Sequence, residues 1–312
     1  MRDASEQYTK DSSPVQTFNP KYRQLFGLTA SIEQILNGVD LLNRNFEFVC
    51  IDMLYGLHGQ SISELIKDLH SAIQLETKLI DLYPINNIVI QERLGCAYKK
   101  ENLSPTSGLD KFGLSVLAQQ YMRANGYLPH NGHGFIKSNT GNNAIVTDEY
   151  TFEYHEAVYG YKGHEIISFG SFAYTSIDGL CIGNPTNTKK YIENLNNNNH
   201  IDMYIGQYDK SICENKGIAL HLPYHGVAEK QKMDLTLIDE VTKEKLNEAI
   251  KRGLVIETPD SLQLTQSGLS WYVNLLYYFS PQSDQTKLES MINQAENKEK
   301  RSIEEWRIYL RH

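Results

Sequence analysis

Two nearly continuous apolar runs, each preceded by a capped amphipathic helix, constrain this chain more than any other feature. Residues 30 to 43, ASIEQILNGVDLLN, place Ile32, Ile35, Leu36, Val39 and Leu42 on one helical face, and Ser31 with Gln34 forms a capping box. The run FEFVCIDMLYGL follows, apolar at successive positions, as suits a strand buried on both faces of a parallel sheet. Ser61 and Glu64 form a second capping box, and Ile62, Leu65, Ile66, Leu69 and Ile73 line a helix to about Glu76. KLIDLYPINNIVI then reads as another buried strand. Helix, strand, helix, strand implies right-handed parallel crossovers, so the expected fold is an α/β sheet or barrel.

Ligands gather at the carboxyl ends of such strands. The stretch VCIDMLYGLHGQS therefore delivers the Asp52 carboxylate to a binding edge, where Gly56 and Gly59 allow a tight turn or are plain loop geometry. Ile85 to Asn87 falls on the same edge, and Gln16, in PVQTFNP, ends an earlier strand there.

The 312 residues suffice for one large domain or two ordinary ones. A formal net charge of -8 argues against a general polyanion binder, so no nucleic-acid partner is expected. No apolar run reaches the roughly 18 residues of a membrane span, and the start MRDASEQYTKDSS has no apolar signal region, so a cytoplasmic location is expected. Cys50, Cys96, Cys181 and Cys213 lie far apart without a CxxC pair and read as buried, reduced thiols.

Residues 1–14 read as a disordered lead. A helix over 110–125 ends at Gly126, followed by a Gly- and Asn-rich loop to about Asp148, the run EYTFEYHEAVYGY, and a glycine-punctuated strand in HEIISFGSFAYTSIDG. NLNNNNH at 194–200 reads as a loop and a domain boundary. Beyond it, a helix over 237–252, the flanking strands LVIE and LQLT, and the helix GLSWYVNLLYYF follow the winged-helix pattern; a charged helix runs from about 284.

Candidate metal ligands are few. His130 and His133, in HNGH, have a usable spacing but no companion Cys or carboxylate nearby in sequence, which favours a solvent-exposed loop. His221 and His225 would share a helical face, but Pro223 is expected to break it, and no metal site is predicted. Tyr150, Tyr154, Tyr159 and Tyr161 are expected to pack against a cofactor or a core, because Glu149, Glu153 and Glu156 disfavour base stacking. GxSxG, GxxxxGK[ST] and GxGxxG are absent. A winged-helix regulator competes with a lid or packing role for the C-terminal region, where Glu240, Glu244, Glu248 and Glu257 offset the basic residues.

VQTFNP, IDMLYGLHGQS, GHEIISFGSFAYTSIDG, NTKKYIENL and LNEAIKRGLVIETPDSLQLTQSGLSWYVNLL occur here in the order found in radical SAM enzymes related to oxygen-independent coproporphyrinogen III oxidase, and the chain resembles that family over about residues 14 to 280. The resemblance implies an incomplete TIM-like radical SAM barrel over 15–125, a glycine- and tyrosine-rich covering segment over 126–195, and a winged-helix-like domain over 200–283. It also implies that Gln16, Asp52, Ile85 and Tyr174 contact S-adenosylmethionine, and that the family's [4Fe-4S] cluster cleaves that cofactor to a radical acting on a tetrapyrrole or other large conjugated substrate. The family's cluster motif CxxxCxxC has no counterpart here, the proline of its YGLPGQT is His58, and an arginine expected a dozen residues after Gln16 falls on Leu28. The expected picture is the C-terminal portion of such an enzyme, unable to generate the radical alone, with a second chain as a candidate for the missing barrel half. A non-catalytic haem or S-adenosylmethionine binder working with a partner is the alternative.

Overall fold

The computed structural model describes residues 10–85, 92–138, 145–147, 158–163, 165–197, 204–208 and 210–296. They fall into two units, residues 1–150 and 151–312. In the first unit β1 (Lys10–Gln16), β2 (Phe48–Tyr55) and β3 (Leu79–Pro84) pair in parallel, and a hairpin of β4 (Tyr127–Pro129) and β5 (Gly134–Lys137) completes a five-stranded sheet in the order β1-β2-β3-β5-β4. β5 runs antiparallel to β3. The sheet is thus part of an α/β unit, with two parallel pairings, as the alternating pattern required, and two antiparallel ones.

The two capping boxes form as their sequences specify. Ser31 and Gln34 close the start of α2 (Ile32–Asn45), and Ser61 and Glu64 close the start of α3 (Ile62–Gln74). Each box satisfies backbone N–H groups that a helix start otherwise leaves orphaned. These helices are the crossovers β1-α2-β2 and β2-α3-β3 that parallel pairing demands.

Strand alternation then sorts the side chains. Ile51, Met53 and Tyr55 of β2 and Ile80 and Leu82 of β3 join Leu65, Leu69 and Ala72 of α3 in one buried cluster with Leu114, Ala118 and Met122 of α5 (Gly108–Ala124). Burial of each large aliphatic side chain contributes about 1.5–3 kcal/mol. Cys50, Asp52 and Leu54 of β2, and Leu79, Asp81 and Tyr83 of β3, therefore belong to the opposite face.

Several expectations change. β1 starts at Lys10, inside the stretch read as a disordered lead. The segment after Gly126, read as a loop, begins with the β4–β5 hairpin. The strand at 78–90 ends at Pro84, and Asn86 and Asn87 lie outside the described residues. A helix, Thr188–Asn196, takes the start of NLNNNNH.

The second unit holds an antiparallel sheet of β6 (Tyr174–Ile177), β7 (Leu180–Gly183) and β8 (Tyr204–Gln207). Its later part is a helix Glu240–Lys251, a hairpin of β10 (Val255–Glu257) and β11 (Ser261–Leu264), and helices Gln266–Ser270 and Tyr272–Phe279. β9 (Val227–Glu229) adds a third strand that the sequence pattern did not reveal. A last helix, Gln282–Glu296, matches the charged C-terminal element. No helix among the described residues is long and apolar enough to cross a membrane.

Candidate functional site

Asp52 is the fifth residue of the eight in β2, and its register partner on β3 is Asp81. In a parallel pair, residues in register point to the same face, so two carboxylates stand side by side. Cys50, two residues before Asp52, shares that face. The Cys50 sulfur and one oxygen from each carboxylate all lie within 4.8 Å of one another. Cys50 and Asp81 are buried, and Asp52 is half-buried.

The row continues across β5, where Asp81 is opposite Gly134. A methyl group at Gly134 would sit 2.4 Å from His130 Nε2, 2.8 Å from Asp81 Oδ1 and 2.9 Å from Asn131 Nδ2. The bare glycine leaves a space that these three side chains share. Asn131 Oδ1 accepts the backbone N–H groups of His133 (3.0 Å) and Gly134 (2.6 Å), which folds the hairpin turn and turns its histidines inward.

Tyr83 borders the cluster. Its hydroxyl donates to Asp81 Oδ2 at 3.4 Å, and its ring lies against His133 with centroids 4.3 Å apart. Burial pushes the Tyr83 phenol well above its ordinary range, and the charges of Asp81, Asp52 and Cys50 push it further, so it stays a neutral donor.

Gln16 closes β1 with φ 66°, beyond a register shift between Ser13 and Gln16, and pairs with Met53, the neighbour of Asp52. Ile85 directly follows β3; its N–H donates to Tyr55 O at 2.9 Å, and its carbonyl accepts from Lys111 Nζ at 3.1 Å. Gln16, Asp52 and Ile85 thus share the carboxyl side of the parallel strands. Tyr174 belongs to the second unit, where its hydroxyl donates to Cys181 Sγ at 2.8 Å across the β6–β7 pair.

The HNGH reading is corrected: His130 and His133 are buried, not exposed, because the β4–β5 turn folds over β3. The His221–His225 reading is corrected as well. A π-helical turn, Gly217–His221, precedes the short helix Leu222–His225 with Pro223 in its first turn, where a missing N–H is tolerated, and the two rings stack at 4.3 Å. Tyr159 stacks on Tyr224 at 3.9 Å and Tyr161 packs on His221 at 4.1 Å, a packing use; Tyr150 and Tyr154 lie outside the described residues. Cys96 is exposed and Cys213 half-buried, unlike the buried Cys50 and Cys181.

Asp81, Lys111 and Tyr83 escaped sequence reasoning. A signal for Asp81 was present: LIDLY repeats the motif of a lone aspartate inside an apolar strand that singled out Asp52. Lys111 had no such mark.

No family model matches the sequence, and no curated protein matches it. Among solved structures, coproporphyrinogen III oxidase (HemN) of Escherichia coli, described as a radical SAM enzyme, superimposes with a TM-score of 0.67 at 17% identity over 86% of this chain. This chain has the fold of that oxidase. The superposition takes in 63% of the oxidase chain, and at this identity the likeness is one of fold.

An iron–sulfur cluster does not fit the cysteines. Among the described residues no group of three cysteines comes together. The carboxylates of Asp52 and Asp81 are acceptors of the kind to which the ammonium and ribose hydroxyls of S-adenosylmethionine would donate.

Proposed function

We propose that this chain binds S-adenosylmethionine on the face of the sheet that carries Asp52 and Asp81. In this reading the sheet is an incomplete radical SAM barrel followed by a winged-helix-like domain, and the chemistry it serves belongs to a tetrapyrrole or similar conjugated molecule. The observation that carries it is the Asp52–Asp81 pair in register on the face away from the helices, in a fold shared with the oxidase.

The division of labour follows from position. Asp52 accepts hydrogen bonds from the ammonium or ribose of the cofactor, and Gln16 supplies an amide on the neighbouring strand. The Ile85 carbonyl keeps a lone pair beside the one that accepts from Lys111 and is available to the adenosine. Bound to a cluster, S-adenosylmethionine yields a radical; this chain's cysteines do not assemble one. That favours a binding or substrate-holding role exercised with a partner that supplies the cluster.

Calorimetric titration of the full chain with S-adenosylmethionine tests the reading. Saturable binding is expected, weakened at least tenfold by Asp52→Asn. Absence of binding at millimolar cofactor, or binding indifferent to Asp52→Asn, refutes it.

A further inference from the structure

The residues around Asp81 include a thiol and an imidazole that cofactor binding does not require. Cys50 offers a sulfur, Asp52 and Asp81 offer carboxylate oxygens, and the three meet within 4.8 Å. His130, 4% exposed, brings its Nε2 to the space over Gly134 that Asp81 Oδ1 also borders. Sulfur, carboxylate oxygen and imidazole nitrogen are the ligand types of zinc.

We infer that Cys50, Asp52 and Asp81 form a three-ligand site for a divalent transition metal of the zinc type, with His130, whose Nε2 borders the space beside Asp81 Oδ1, as the candidate fourth ligand. Bonds of about 2.0–2.3 Å require donors roughly 3.3–3.8 Å apart in a tetrahedron, so the Cys50, Asp52 and Asp81 donors, now within 4.8 Å of one another, must draw closer to hold an ion. The ion neutralises two adjacent carboxylates and a thiolate on a buried face. Tyr83 donates to Asp81 Oδ2 and leaves Oδ1 toward the shared space, which is how an outer hydrogen bond orients a ligand carboxylate. Asn131 fixes the turn that carries His130. Asp52 has two oxygens, so one can bind the ion while the other faces a bound small molecule.

The site shares Asp52 and Asp81 with the cofactor reading but is tested apart from it, because metal binding is measured with no S-adenosylmethionine present. Chelator-stripped, reduced full-length protein is titrated with Co²⁺. One equivalent is expected to produce a thiolate-to-cobalt charge-transfer band in the near ultraviolet, displaced by Zn²⁺. The band should vanish in Cys50→Ser, persist in Cys96→Ser, Cys181→Ser and Cys213→Ser, and need at least tenfold more Co²⁺ in His130→Gln or Asp81→Asn. Circular dichroism confirms that each variant is folded. X-ray absorption of the zinc-loaded wild type gives a readout free of mutation: one sulfur at about 2.3 Å with nitrogen and oxygen at about 2.0 Å. A shell without sulfur, a charge-transfer band that survives Cys50→Ser, or an affinity unmoved by His130→Gln overturns the assignment.

Discussion

Asp81 stands opposite Gly134 across the antiparallel β3–β5 pair, and the absent side chain at Gly134 admits the His130 ring beside the Asp81 carboxylate. A turn residue from beyond β4 is thus brought beside the partner of Asp52 by one missing methyl group.

Gly134→Ala tests that relationship. The new methyl would stand 2.4 Å from His130 Nε2, so the ring must leave, at a cost of about 1–3 kcal/mol in urea unfolding. Gly38→Ala and Gly113→Ala, in helices with open space around them, should instead gain up to about 1 kcal/mol. Equal effects at the three glycines would remove the steric explanation.

Gln16 holds φ 66°, a conformation that disfavours any residue with a Cβ by about 1–2 kcal/mol. Gln16→Gly is expected to leave stability unchanged or slightly raised while weakening S-adenosylmethionine binding. Gln16→Val should lose more than about 1 kcal/mol, since a branched side chain tolerates this region least. Thermal melts and titrations of both variants report the two effects separately; a glycine variant that melts far earlier would contradict the strain.

The buried Arg23 guanidinium donates to the carbonyls of Val15 (3.2 Å), Thr17 (2.9 Å) and Ala30 (2.6 Å), clamping the chain as it leaves β1. Arg23→Met should destabilise by about 2–4 kcal/mol through the stranded carbonyls. Arg23→Lys should recover little, because a point ammonium does not span the fork of three acceptors. Full rescue by lysine in denaturant unfolding would show that charge alone matters.

Burial raises the Asp68 carboxyl above its ordinary value even though the Thr17 hydroxyl donates to it at 2.6 Å and the Phe18 N–H at 3.0 Å. The native state then holds this proton more tightly than the unfolded state. The resulting stabilisation is full below the ordinary carboxylate value and is lost as pH rises through the raised one. Asp68→Asn should flatten this fall, seen as a smaller drop in urea midpoint between about pH 4 and 7. An identical pH profile in the variant would count against it.

Much of the frame was legible in the chain itself. Ser31–Gln34 and Ser61–Glu64 act within one helical turn, and the apolar period of α2, α3 and β2 is a property of consecutive residues, so the crossovers and the parallel strands were determined locally. The Asp52 carboxylate was legible too, as a lone charge in an apolar strand. Its neighbours were not. Strand register sets Asp81 beside it from 29 positions along the chain, and a hairpin turn returns His130 and His133, which local composition had assigned to solvent. The π-helical turn before Leu222 likewise decided that His221 and His225 stack despite Pro223. Capping and periodicity are short-range and written in sequence; pairing register and the burial of a turn depend on hydrogen bonds and packing between distant segments, which only the tertiary structure decides.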